Sequence, residues 1–178
     1  MRMATRILAS AAFLLLGFSV QNTASAQDGV YYLQAVHSGK CAHIDGGGRQ
    51  NGAVVTQWQC LDQQHFWWLV RTVRSGEVWL LSWNSGRCAH VNGASHDDGA
   101  PITQWDCADQ PHLVWKLAND GNGAYYIFST ESGKCMHVSG AAPTNAASIT
   151  QWECMNQPHM KWRLRPVNGP DGVANPPP

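Results

Sequence analysis

The chain holds 178 residues with no formal net charge, 13% charged residues and 10% aromatic ones, a length that suits one domain once any leader is set aside. With so few charges and no basic run, a nucleic-acid partner is excluded, because that affinity rests mainly on clustered Lys and Arg. Trp (9 copies), Gly (17 copies), Gln and Asn are plentiful, so the surface is expected to be polar without being charged.

Residues 1–26 read as a secretory signal peptide. Arg2 and Arg6 make a basic start, "ILASAAFLLLGF" is an apolar run too short to span a bilayer, and Ala24, Ser25 and Ala26 supply a small-residue cleavage site. The mature chain is then expected to begin at Gln27, secreted, with no second apolar stretch for membrane insertion. Loss of Arg2 and Arg6 leaves a formal excess of two acidic groups.

Four short strands separated by turn residues are predicted next: "VYYLQAV" (30–36), "CAHI" (41–44), "AVVTQW" (53–58) and "FWWLV" (66–70). The links "HSGK", "DGGGRQNG" and "QCLDQQH" are rich in residues that turn cheaply. The same four recur as "EVWLLSW", "CAHV", "APITQW" and "LVWKL", and again as "AYYIFST", "CMHV", "ASITQW" and "MKWRL". After Leu164 the sequence runs out as "RPVNGPDGVANPPP", where Pro and Gly oppose helix and central strand, so residues 167–178 are expected to form a disordered tail.

The recurrence is strict. Cys41, Cys88 and Cys135 are 47 residues apart, as are Cys60, Cys107 and Cys154, and the register holds without a gap. In it, Ser38, Ser85 and Ser132 coincide, as do Gln57, Gln104 and Gln151, then Trp58, Trp105 and Trp152, then Trp68, Trp115 and Trp162. His43, His90 and His137 form one matched set and His65, His112 and His159 another. The repeats span about 28–74, 75–121 and 122–166, each with four short strands, and no repeat can bury both strand faces alone. Three groups that share one core and close on themselves make an all-β fold with threefold pseudosymmetry and no exposed sheet edges. Six cysteines in an exported chain imply disulfides; of the 15 connectivities, pairing within each repeat treats the repeats alike. Each such bridge contributes roughly 3 kcal/mol in the chain-entropy view.

The order "SGKC", glycine-rich loop, "QWxC" and a Trp eight residues past the second Cys resembles the ricin B-type lectin family, whose fold is the β-trefoil. The resemblance covers residues 28–166 and implies one shallow carbohydrate site per repeat, up to three, with no cofactor. It implies a sugar-stacking role for Trp58, Trp105 and Trp152 and a core role for Trp68, Trp115 and Trp162. The chain departs from the family pattern at both polar positions. His43, His90 and His137 stand where the family has aspartate, and His65, His112 and His159 stand where it has asparagine. Gln63, Gln110 and Gln157 offer polar partners under a shifted alignment.

An indole can stack on the C–H face of a pyranose while a neutral imidazole offers one donor and one acceptor to its hydroxyl rim. His titrates near neutrality, so binding is expected to vary over a pH range of about 5 to 8. Three alternatives stay open: His side chains that merely hold a turn, a His-based metal site helped by Asp62, Asp109 and Asn156, and a protein-binding trefoil using the loops "GGGRQNG", "GASHDDG" and "GAAPTNA". Catalysis is not expected. No carboxylate position is acidic in all three repeats, as glycoside hydrolysis by a facing pair would favour, and the repeated serines lack a nucleophile elbow.

Overall fold

The structure, a computed structural model, describes residues 28–167. The expected signal peptide and the expected tail beyond Val167 lie outside the described residues. Val167 itself is tied to the fold, its N–H donating to the Val30 carbonyl at 2.9 Å.

Twelve strands form, four per repeat. They are β1 (Gly29–Ala35), β2 (Cys41–Ile44), β3 (Val55–Trp58) and β4 (Trp68–Arg74); β5 (Glu77–Ser82), β6 (Cys88–Val91), β7 (Ile102–Trp105) and β8 (Trp115–Asn119); and β9 (Tyr125–Ser129), β10 (Cys135–Val138), β11 (Ala147–Trp152) and β12 (Trp162–Pro166). All pairings are antiparallel. β1 pairs with β4, β4 with β5, β5 with β8, β8 with β9, β9 with β12 and β12 with β1, which closes a six-stranded barrel. The hairpins β2–β3, β6–β7 and β10–β11 complete the three lobes of a β-trefoil. Closure leaves the barrel without an edge strand, as the recurrence requires.

The fourth strand of each repeat starts two residues later than the apolar pattern suggests. Gln64–Phe66, Pro111–Leu113 and Pro158–Met160 fold instead as single 3-10 turns, because Pro at the first helical position pre-sets the turn in two repeats. The closing apolar residue of each turn, Phe66, Leu113 or Met160, is still buried.

The shared core contains Trp68, Trp115 and Trp162 with Leu33, Leu80 and Ile127 from the barrel and Ile44, Val91 and Val138 from the hairpins. A buried indole needs a partner for its N–H. Each of the three finds the same one in register, the carbonyl of Ala42, Ala89 or Met136, at 3.0, 2.8 and 2.9 Å. The disulfides pair Cys41 with Cys60, Cys88 with Cys107 and Cys135 with Cys154, within repeats.

The repeats are stitched together by the Gln of each "QW" pair. Gln57, Gln104 and Gln151 are fully buried, yet their amides are satisfied. Their Oε1 atoms accept from the Ser38, Ser85 and Ser132 hydroxyls at 2.7, 2.7 and 2.6 Å. Their Nε2 atoms donate to two loop carbonyls of another repeat: Gln57 to Ala142 and Thr144, Gln104 to Gly48 and Gln50, Gln151 to Ser95 and Asp97. The repeated serines therefore each orient an amide. Beside each latch a loop N–H crosses to the carbonyl of that same Gln, from Gly52, Gly99 and Ala146. The first two are glycines at φ 82°, and Ala146 holds φ 64°, a left-handed conformation that costs an L residue about 1–2 kcal/mol.

Candidate functional site

The residues singled out in sequence meet on the hairpin of each repeat. Cross-strand register sets His43 opposite Thr56, His90 opposite Thr103 and His137 opposite Thr150, and a pair so placed can bond directly. Each His Nε2 is hydrogen-bonded to the facing Thr hydroxyl, at 2.9, 2.7 and 2.7 Å. These imidazoles are only 4%, 5% and 4% exposed. Their Nδ1 atoms have no hydrogen-bond partner among the described residues.

Burial penalises the imidazolium form first, and the neighbouring His adds like-charge repulsion in each repeat. Together they push His43, His90 and His137 down to about 4. Asp45 opposes this weakly at His43 and Asp98 at His137. The expectation of titration near neutrality is therefore corrected for this set: these rings stay neutral across pH 5–8.

The second set lies outward of the first. His65, His112 and His159 sit in the 3-10 turns, with ring centroids 5.7 Å from His43, His90 and His137 respectively. They are partly exposed, and burial lowers the pKa of His65 and His159. The third member of each group is Trp58, Trp105 or Trp152, whose indole meets the inner imidazole edge-on at 6.2, 5.7 and 5.7 Å. Two imidazoles and one outward indole thus converge three times.

The other residues weighed in sequence are used elsewhere. Asp62 accepts the Tyr32 hydroxyl at 2.9 Å, Asp109 accepts from Arg74 at 2.7 Å and Asn156 accepts the Tyr126 hydroxyl at 3.0 Å. Among the described residues no three His, Cys, Asp or Glu side chains gather closely enough to hold a metal ion. Gln63, Gln110 and Gln157 are exposed residues that precede the 3-10 turns. His37 and His96, which recur in no other repeat, each border a neighbour's group: His37 Nε2 lies 3.2 Å from the Ala142 carbonyl, and His96 lies 3.1 Å from Glu131.

In the first repeat the group lines an open cleft of about 370 Å³. Its lining includes His43, His65, Trp58, Leu61 and Asp45. Phe66 also lines it and stacks on His43, centroids 4.6 Å apart with planes 10° from parallel. Leu61 and Asp45 are lining residues that repeat symmetry did not single out, because positions 108 and 155 hold Ala and Met and positions 92 and 139 hold Asn and Ser. A search for what breaks the period, rather than what keeps it, would have found them.

A family model described as "ricin-type beta-trefoil lectin domain-like" matches residues 17–105, 67–152 and 111–174 in overlapping segments. The chain belongs to this family. Its structure is similar to the designed threefold-symmetric protein ThreeFoil, at 28% identity and a TM-score of 0.77, over 79% of this chain and 100% of that one. It is similar also to an exo-β-1,3-galactanase from Clostridium thermocellum, at 26% identity and a TM-score of 0.76, over 84% of this chain but 31% of that one. The earthworm R-type lectin C-half, solved in complex with GalNAc, shares the fold at 16% identity and a TM-score of 0.62, covering 77% of this chain and 98% of that one. A search of the curated proteins finds no match. Ricin-type membership accounts for the threefold frame.

Proposed function

We propose that the protein is a secreted lectin that binds glycans at up to three sites, one per repeat, and that it catalyses no reaction. The observation that carries this reading is the threefold recurrence, in a ricin-type frame, of one outward indole beside two imidazoles. Three disulfides fit an oxidising compartment outside the cytosol. Solved relatives of the same fold include complexes with GalNAc and with a sialylated trisaccharide, which supports glycans as the ligand class here.

The labour divides by depth. Trp58, Trp105 and Trp152 stack on the apolar face of a pyranose. His65, His112 and His159 present accessible ring nitrogens to its hydroxyls, one donor and one acceptor each. His43, His90 and His137 form the inner wall, held by Thr56, Thr103 and Thr150, and keep the outer ring in place. Without a charge-assisted bond from a carboxylate at the inner position, each site binds weakly, and a repeating polysaccharide or a clustered glycan gains avidity across the three. A glycan array probed at neutral pH tests the reading: binding to a restricted set of neutral glycans supports it, and binding to none of them contradicts it.

A further inference from the structure

The three groups share a frame but not a charge. Position 45 is Asp in the first repeat, and its counterparts are Asn92 and Ser139. Asp45 is exposed and lines the cleft, and its carboxylate has no hydrogen-bond or ion-pair partner among the described residues. Several carboxylates near the other two groups have a side-chain partner, although Glu153, exposed beside Trp152, forms no ion pair among the described residues. Asp98 is 2.6 Å from Lys134, Asp106 is 3.1 Å from Arg87, and Glu131 is 3.1 Å from His96. The cation in that register in the first repeat, Lys40, forms no ion pair and does not line the cleft.

Shape differs in the same direction. Trp58 is half-buried and packs with Leu61 and Phe66, whereas Trp105 and Trp152 stand 45% and 40% exposed. The first-repeat indole is thus the most enclosed of the three. The residue reaching in from the neighbouring repeat also changes. Asn84 pins the first cleft by donating to the Gly47 carbonyl at 2.9 Å, where the other two repeats have Glu131 and His37.

Building on the lectin reading, we infer that the first-repeat cleft is the principal site, and that Asp45 makes it select sugar ends that carry hydroxyl or ammonium groups and reject those that carry a carboxylate. The cleft offers one unpaired carboxylate, two imidazoles and no Lys or Arg in its lining. A carboxylate is acceptor-only, so it rewards a ligand that donates. An ammonium near an exposed carboxylate gains modestly, and a uronate loses by a similar amount. The second and third groups, whose indoles are more exposed and which have Asn92 and Ser139 in place of Asp45, act as auxiliary platforms that engage the same glycan at higher concentration.

Nuclear magnetic resonance of the 15N-labelled protein resolves the sites through their Trp indole N–H signals. The titrants are glucose, glucosamine and glucuronate, with galactose, galactosamine and galacturonate in parallel, at a pH of about 6 where the amino sugars are protonated. The expected result is that the Trp58 signal moves at the lowest concentration. The amino sugar should bind about two- to fivefold more tightly than its neutral parent and the uronate more weakly by a similar factor, and Asp45→Asn should level the three. Movement of Trp105 or Trp152 before or together with Trp58, or a uronate that binds as tightly as the amino sugar, overturns the inference while leaving a lectin. If no indole signal moves with any of the six sugars, the lectin reading itself fails and the inference falls with it.

Discussion

Trp68, Trp115 and Trp162 are at most 1% exposed and donate to equivalent carbonyls, whereas Trp58 is half-buried and Trp105 and Trp152 are largely open. Both sets keep the same 47-residue period, so the period alone cannot tell a core residue from a surface one. The difference lies in what surrounds them. Around the first set the neighbours stay apolar in every repeat; around the second they vary from Leu61 to Ala108 to Met155 and from Asp45 to Asn92 to Ser139. Close packing holds the core to one solution, and the outer face is free to diversify into unequal sites.

Breaking each set should separate them most clearly. Trp115→Ala removes a buried indole and is expected to cost about 3–5 kcal/mol. Trp105→Ala, in the same repeat, should change stability by no more than about 0.5 kcal/mol. Chemical denaturation of the two variants measures both.

The two imidazole sets sharpen the same contrast. His90→Ala leaves the Thr103 hydroxyl without its partner and opens space in the hairpin, which should cost about 1–3 kcal/mol. His112→Ala touches a partly exposed ring and should leave the melting temperature nearly unchanged while lowering glycan affinity. If the reverse is found, the division between inner wall and outer contact is wrong.

Acid should find the inner set as well. In the unfolded chain these rings take a proton near the ordinary value of 6.5, but in the fold only near about 4. Above pH 6.5 they are neutral in both states and contribute no pH dependence. As pH falls from 6.5 to 4 the unfolded chain binds protons that the fold refuses, so stability is lost across that window. Melting temperatures read at half-unit steps should decline there, and the triple Ala variant at His43, His90 and His137 should show a shallower decline.

Much of this frame was legible in the sequence. Gap-free cysteines and Trp marked the threefold repeat and favoured pairing within repeats, while the trefoil itself was implied by the family resemblance. The Gln latch was not legible. "QW" marks Gln57, Gln104 and Gln151, but their Nε2 partners are backbone carbonyls of another repeat, and a carbonyl carries no signature in the sequence. The role of His43 was half legible: its recurrence marked it, but its pairing with Thr56 depends on strand register, and its low pKa depends on burial.

The smallest expected effect concerns symmetry itself. Ala146 occupies a left-handed position that Gly52 and Gly99 fill in the other repeats. Ala146→Gly relieves that strain and should raise stability by no more than about 1 kcal/mol, since the freer unfolded chain offsets part of the gain. Thermal unfolding measures it.

The account rests on the outward tryptophans being the ligand platform, and one measurement tests this most directly. A variant with Trp58, Trp105 and Trp152 all replaced by Ala is compared with the natural protein for binding to the strongest glycan found on the array, alongside its melting temperature. Loss of binding with the fold retained is the predicted result. Undiminished binding by a folded triple variant would contradict the account.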